Sequence, residues 1–161
     1  MAEITIKPIS AETARQIRKT VLRPDQPYET TKYPLDDDPD TLHVGTYLDG
    51  ELVGVMTVNR EAPPGLQNPS AWRMRGVAVA EKVRGSGYGR RMAQFCLDYV
   101  SQRGGELIWA NGRTTALSFY QALGFQARGE EFTTDTGPHY QVLRWLKPLD
   151  RNLLEITSEV E

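Results

Sequence analysis

Short stretches of alternating apolar and polar residues, or of clustered β-branched and aromatic residues, predict the strands of this chain. The first is residues 4–8. Residues 42–48 and 52–58 follow, and the Asp49-Gly50 pair between them is typical of a hairpin turn. The remaining predicted strands are residues 72–79, 107–110, 125–133 and 139–146.

Apolar residues spaced three or four apart predict three helices. The first follows Ser10, a residue type that favours the N-cap position. The second follows a glycine-rich loop and ends at Gly104. The third is capped by Thr114 or Thr115 and ends before Gly124. The order β-α-β-β-β-α-β-α-β-β predicts an α/β fold with a mixed sheet.

The segment between residues 23 and 40 is rich in proline and aspartate. Proline supplies no N–H for a helix or a strand ladder, so we expect this segment to be irregular and exposed. Its last part holds the acidic residues Asp36, Asp37, Asp38 and Asp40.

The chain has 161 residues and a formal net charge of -2. We interpret residues 1–147 as one domain and residues 148–161 as a C-terminal tail with weak helical character. The small negative charge gives no reason to expect a nucleic-acid partner. No apolar run approaches the ~20 residues that are needed to cross a bilayer. The N-terminus lacks the basic and apolar regions of a secretory signal, so we expect a cytoplasmic location. No cluster has metal-ligand spacing, and no metal site is predicted.

One loop between a strand and a helix carries the chemistry. Helix N-termini offer unpaired N–H groups and a positive dipole end, and glycines let the backbone approach an anion. Arginines add charge, which favours a pyrophosphate. A P-loop would need Lys-Ser/Thr after its last glycine, and the dinucleotide fingerprint would need G-x-G-x-x-G, whereas this loop has G-x-G-x-G. The loop is Arg84-Gly85-Ser86-Gly87-Tyr88-Gly89-Arg90.

The pattern Arg84-x-x-Gly87-x-Gly89, after Val77-Ala78-Val79, resembles the acetyl-CoA motif of the GNAT N-acetyltransferase superfamily. A second segment, residues 116–125, resembles the downstream signature of that family. The resemblance implies a GNAT fold, with a mixed, mostly antiparallel sheet flanked by helices and a splayed strand pair for the cofactor. It implies transfer of an acetyl group from acetyl-CoA to a primary amine by direct attack.

The resemblance also assigns roles to residues. Tyr120 is the expected proton donor to the leaving thiolate, and an N–H of the strand before the loop polarises the thioester carbonyl. Many family members carry an asparagine where this chain has Arg113, so we expect Asn111 to make the cofactor contact. The other expected cofactor-binding residues are Val77, Ala78, Val79, Arg84, Gly85, Ser86, Gly87, Tyr88, Gly89 and Arg90.

Several alternatives stay open. The strand before the loop lacks the carboxylate that many members use as a base, so the base is His139 or water. A catalytically silent CoA-binding or sensor module on the same fold is the alternative function. The acceptor is a small molecule, a peptide N-terminus or a lysine, and a homodimer is compatible with the sequence. The aspartates after the first helix, with Glu130 and Glu131, suggest an acidic surface that attracts a cationic amine.

Overall fold

A computed structural model describes residues 2–146, in which seven strands form one sheet with three α-helices packed on it. The strands are β1 Ile4–Pro8, β2 Leu42–Leu48, β3 Glu51–Arg60, β4 Ala71–Val79, β5 Leu107–Arg113, β6 Gln126–Thr134 and β7 Gly137–Trp145. The helices are α1 Ala11–Ile17, α2 Tyr88–Gln102 and α3 Leu117–Ala122. The weak helix predicted for residues 148–161 lies outside the described residues. Within residues 2–146, no helix is long and apolar enough to span a membrane.

The strand order is β1-β2-β3-β4-β5-β7-β6, and only β4 and β5 run parallel, which confirms the mixed, mostly antiparallel sheet. These two strands pair only through residues 71–73 and 107–109. Across the rest of both described strands they make no pairs, so the sheet splits between them. This split is the splayed strand pair that the resemblance implied.

A β-bulge lies in β4 beside the split. Arg75 pairs with Thr57 and Ala78 with Val55, so two residues of β4 oppose one residue of β3. Gly76, in the bulge, has φ 62. A Cβ there would lie 2.9 Å from Nε of Arg18 and 3.0 Å from the ring of Tyr33. Glycine therefore suits both the left-handed backbone and the close packing.

The helices cover both faces of the sheet, because alternate strand residues point to opposite sides. On one face, the buried stripe of α2 packs into the main core with Trp72 and Met74 of β4. On the other face, Ala14 and Ile17 of α1 pack against Val55. The face that carries α1 therefore also holds the side chains of β4 that alternate with the core residues.

The structure corrects several local expectations. Ser10 is the N-cap of α1 as predicted, and its Oγ accepts the Thr13 N–H at 3.1 Å. The chain then continues as a π-helical turn, Arg18–Leu22, and a 3₁₀ turn, Tyr28–Thr31, interrupts the loop that was expected to be irregular. The loop is not uniformly exposed either, since Asp36 is 5% exposed.

The third helix begins differently from the prediction. A 3₁₀ turn, Thr114–Ala116, precedes α3, and the N-cap residue of α3 is Ala116, with no side-chain cap. The Thr114 hydroxyl instead donates to Glu131 Oε2 at 2.7 Å. The predicted threonine cap is therefore wrong. Strand β5 is also longer than predicted and includes Asn111, which was expected to follow it.

Candidate active site

A cavity of about 620 Å³ lies between the end of β4, the glycine-rich loop and α3. Nine of the eleven residues predicted to bind the cofactor line it, whereas Ser86 and Asn111 do not. Part of α3 forms the opposite wall. The nine residues are Val77, Ala78, Val79, Arg84, Gly85, Gly87, Tyr88, Gly89 and Arg90.

Backbone donors at the start of α2 belong to residues that line this cavity. Gly87 is the N-cap, with φ 84, and the first helical hydrogen bond runs from the Arg91 N–H to the Gly87 oxygen at 3.1 Å. The N–H groups of Tyr88, Gly89 and Arg90 precede that bond and have no carbonyl of their own helix to meet. Together with the positive end of the helix dipole, they could hold a phosphate.

Other contacts fix the loop in place. The Ser86 N–H donates to the Val83 oxygen at 3.2 Å, which explains why Ser86 contributes no free donor. Arg84 Nε donates to the Val79 oxygen at 3.1 Å and ties the loop to the end of β4. A Cβ on Gly89 would lie 2.9 Å from the Phe119 ring, so glycine lets α3 pack against the start of α2.

A second cavity, of about 260 Å³, opens where β4 and β5 diverge. Tyr120, Asn111 and His139 line it, so these three candidates lie apart from the glycine-rich loop. The two cavities share Val77 and Phe119, together with Ala116. The split in the sheet therefore connects a site with anion-binding character to a separate small pocket.

Tyr120 is 6% exposed and packs between aromatic neighbours. Its ring makes edge contacts with Phe119, at a centroid distance of 5.2 Å, and with Phe125, at 5.5 Å. Gly112 makes room for it, since a Cβ there would lie 2.6 Å from the Tyr120 ring. Burial raises the pKa of Tyr120 to about 12, with an opposing effect from the Arg113 charge. The hydroxyl is therefore held protonated.

His139 has a defined tautomer. Its Nδ1 lies 2.7 Å from the Gly137 oxygen. A carbonyl only accepts, so Nδ1 carries a proton, and in the neutral ring Nε2 is the acceptor atom. The Thr136 hydroxyl lies 3.4 Å from Nε2. The ring also stacks on Phe132. The residue thus has both a structural role and a proton-accepting atom.

The four aspartates of the acidic loop line neither cavity, although Arg23 and Tyr33 of the same segment line the smaller one. Asp36 receives bidentate hydrogen bonds from the buried Arg18, at 2.8 and 3.1 Å. Burial alone would raise the pKa of the Asp36 carboxyl, but hydrogen bonds from Arg18 and the Tyr33 N–H hold it below its usual value. Asp37 pairs with Arg15 at 3.4 Å. Asp40 pairs with Arg60 at 2.9 Å, so arginines neutralise three of the four aspartates, and the two described cavities give no support to a role for these aspartates in attracting an amine.

The smaller cavity instead contains cationic and aromatic residues that sequence reasoning missed. Tyr33, Arg73 and Arg75 all line it. The one available signal was alternation in β4, which places Arg73 and Arg75 on the face opposite the core residues Trp72 and Met74. The partners of these arginines come from distant segments and could not be identified from the sequence.

A split sheet with a glycine-rich helix terminus beside a small pocket is the arrangement that the resemblance to GNAT acetyltransferases implied. The family model described as the acetyltransferase (GNAT) family matches residues 10–125. The chain is 31% identical over 129 residues to the uncharacterized N-acetyltransferase YitI of Bacillus subtilis, covering 80% of this chain and 87% of that protein. The chain therefore belongs to the GNAT acetyltransferase family, whose members are acetyl-CoA-dependent N-acetyltransferases.

Solved structures show the same fold at low sequence identity. The ribosomal-protein-S18-alanine N-acetyltransferase of Escherichia coli has a TM-score of 0.69 at 16% identity, covering 89% of this chain and 94% of that one. An aminoglycoside 6'-N-acetyltransferase complexed with coenzyme A has a TM-score of 0.67 at 16% identity, covering 88% of this chain and 96% of that one.

Proposed function

We propose that this chain transfers the acetyl group of acetyl-CoA to the primary amine of an acceptor by direct attack. The larger cavity takes the donor and the smaller cavity takes the acceptor. The observation that carries the proposal is that the two cavities share Val77, Ala116 and Phe119 at the split between β4 and β5. A group in one cavity can therefore meet a group in the other.

The larger cavity fits the donor in charge and shape. The free N–H groups of Tyr88, Gly89 and Arg90, with the Arg84 side chain, suit a pyrophosphate. Past residue 73, β4 makes no ladder pairs with β5 within residues 2–146, and a chain of amides can pair with such a strand edge. Bound acetyl-CoA supplies the thioester whose acetyl group is transferred and whose sulfur leaves as a thiolate.

In this proposal one side chain acts as the general acid and another as the general base. Tyr120 Oη donates a proton to the leaving sulfur, and burial keeps that oxygen protonated. His139 Nε2 accepts the proton that the attacking amine releases, directly or through a water. The Gly137 carbonyl holds Nδ1 protonated, which keeps Nε2 available. A backbone N–H of β4, within residues 77–79, polarises the carbonyl that is attacked.

The test combines CoA binding with turnover. Gly87→Val places a side chain at a residue with φ 84, in open space, so it disturbs the loop without a clash inside the protein. We expect calorimetry to show CoA binding weakened at least ~10-fold. The strained backbone should also lower Tm, so binding is measured well below the Tm of the variant. The parent protein should release free CoA with at least one member of an amine panel.

Two results would contradict the proposal. CoA binding by Gly87→Val equal to that of the parent would refute the assignment of the loop. Tight CoA binding by the parent without turnover of any amine would favour the silent CoA-binding module instead. Gly89→Val is a poorer probe, because its side chain would also collide with Phe119.

A further inference from the structure

The smaller cavity is strongly cationic. Among the described residues, four arginines line it, against a single carboxylate, Asp135. Two of the four are already neutralised: Arg23 pairs with Asp135 at 2.7 Å, and Arg73 pairs with Glu61 at 3.1 Å. The other two lining arginines are Arg75 and Arg113.

Arg75 and Arg113 have no carboxylate partner among the described residues. The Arg75 guanidinium stacks on the Tyr33 ring at 4.0 Å, and its Nε is buried without a hydrogen-bond partner in residues 2–146. Arg113 makes one long hydrogen bond, from Nη2 to the Leu22 oxygen at 3.5 Å. Burial, with a further contribution from the Arg73 charge, lowers the pKa of the Arg75 guanidinium. A partly buried cation without a paired carboxylate is costly, and an anion in the cavity would offset that cost. The Glu61 carboxylate pairs with Arg73 and acts on Arg75 only at longer range.

Their neighbour Arg18 differs in having a carboxylate partner, although its Nε, like that of Arg75, is buried without a hydrogen-bond partner in residues 2–146. Arg18 also stacks on Tyr33, at 3.9 Å, so that Tyr33 lies between two guanidiniums. Arg18 has its carboxylate in Asp36 and a further acceptor in the Thr57 hydroxyl, at 2.8 Å. Arg75 has the same aromatic support and lacks the anion.

The two arginines flank the wall that the cavities share. Arg75 precedes Val77 by two residues on β4, and Arg113 precedes Ala116 by three at the end of β5. An acceptor bound between them would have its anionic end near the guanidiniums and its other end at the shared wall. The cavity of about 260 Å³ lies below the ~300–1,000 Å³ typical of drug-sized ligands, so the acceptor is small.

We infer that the acceptor is a small amine bearing a carboxylate, an amino-acid-like molecule, and that Arg75 and Arg113 bind this carboxylate. This inference rests on the proposed acetyltransferase function and names its substrate class. It replaces the expectation of an acidic, cation-attracting acceptor site. Guanidinium groups suit it because their planar N–H pairs match the two oxygens of a carboxylate.

The experiment compares acceptors that differ only in charge. Free CoA release is measured with a panel of L-amino acids, with their carboxamides and with the corresponding decarboxylated amines. We expect at least one amino acid to exceed its carboxamide by ~10-fold or more in kcat/KM. Arg113→Gln and Arg75→Gln should each raise the KM of that acid ~10–100-fold and change the value for the carboxamide little. CoA affinity should stay that of the parent.

Controls separate binding from folding. Arg128→Gln removes an exposed arginine of β6 that lines neither cavity, and it should behave as the parent. Arg75→Lys keeps the charge at the site and should retain part of the preference for the acid. Thermal stability in the presence of CoA gives a readout without turnover: the acids should raise Tm more than the carboxamides do, and Arg113→Gln should abolish that difference.

Each outcome decides one of the two claims. Turnover of carboxamides or plain amines as well as acids would overturn the carboxylate site and leave the acetyltransferase function intact. A clear preference for a phosphate-bearing amine would also overturn it. Absence of turnover with every amine would reject the proposed function. In that case, an acid-specific rise in Tm that depends on Arg113 would still support the carboxylate site, and its absence would refute it.

Discussion

At the scale of single residues, the environment of Tyr120 determines what its hydroxyl can do. The usual pKa of a tyrosine is about 10 and that of a thiol about 8.5. Burial raises the pKa of Tyr120 to about 12, which keeps the donor protonated but makes it a weaker acid. The transfer to sulfur becomes less favourable than free amino-acid values suggest. The rate acceleration that Tyr120 provides should therefore lie near the low end of the range for general acid catalysis.

Tyr120→Phe keeps the ring contacts and removes only the hydroxyl. We expect kcat to fall by ~10²-fold, the lower end of the ~10²–10⁴ range, with CoA affinity and Tm nearly unchanged. With a pKa of about 12, Tyr120 should produce no basic limb in the rate profile below about pH 10. The measurement is steady-state CoA release across pH for both proteins.

Tyr99→Phe is the matched control. It removes a hydroxyl that donates to the Asp40 oxygen at 2.8 Å, away from both cavities, so it should affect stability more than rate. A kcat for Tyr120→Phe equal to that of the parent would remove this residue from the mechanism. The assignment of the family would be unaffected, because it does not depend on this residue.

At the scale of elements, a buried polar network joins α1 and its π-helical extension to the acidic loop and the β2–β3 hairpin. Arg18 Nη2 donates to Thr57 Oγ1 at 2.8 Å, and this hydroxyl lies 2.8 Å from His43 Nδ1. The other ring nitrogen, Nε2, lies 3.0 Å from the Asp36 oxygen and must donate to it. Burial and the neighbouring Arg18 charge lower the pKa of His43, so it is neutral in the folded protein.

This network predicts an acid-dependent stability. A histidine whose pKa is lower in the folded chain binds fewer protons than it does in the unfolded chain, so acid favours unfolding. The contribution of neutral His43 to the free energy of unfolding is fully present at a pH above about 6.5, the ordinary pKa of histidine. This contribution is lost as the pH falls below that value. Asp36 acts in the same direction at lower pH, because its pKa is also depressed. We expect Tm to fall as pH decreases from about 7.5 to about 5.

His43→Gln should make that decline shallower, since glutamine does not titrate. The charged groups that act on His43 are Arg18, Asp36 and Arg15, and the first two are held in their bonded states across this range. Asp37→Asn, an exposed change outside the network, should leave the slope as in the parent. An equal pH dependence of Tm in the parent and in His43→Gln would show that His43 is not the titrating group.

The same elements show what the sequence could predict. Strand alternation, the Asp49-Gly50 turn and the glycine spacing depend on neighbouring residues, so β2, β3 and the start of α2 were predictable. The bulge at Gly76 arises from pairing between β3 and β4, and the Arg18–Asp36 bond joins residues 18 positions apart. Both depend on tertiary packing, which local patterns do not contain. For that reason the burial of Asp36, inside a loop that is otherwise mostly exposed, was not predicted.

At the scale of the whole molecule, the split sheet produces two pockets with one common wall. Phe119 is part of that wall and also packs on Gly89 at the start of α2 and on the ring of Tyr120. It therefore contacts the elements that form both pockets. Changes confined to one pocket should affect one substrate, whereas a change at Phe119 should affect both.

Phe119→Ala tests this coupling. Removing the ring opens the common wall and withdraws support from Gly89 and Tyr120, so we expect CoA affinity and acceptor KM to worsen together, each by roughly 10-fold. The half-buried ring should cost about 2 kcal/mol of stability, less than the ~3–5 kcal/mol of a fully buried phenylalanine. The comparison set is Gly87→Val, expected to change CoA affinity and not acceptor KM, and Arg113→Gln, expected to change acceptor KM and not CoA affinity. For Arg113→Gln the kcat is compared separately, because the Arg113 charge also acts on the pKa of Tyr120. Calorimetry with CoA and steady-state kinetics on all three variants provide the data. An effect of Phe119→Ala on one substrate only would show that the cavities function independently, since a shared wall requires both to respond.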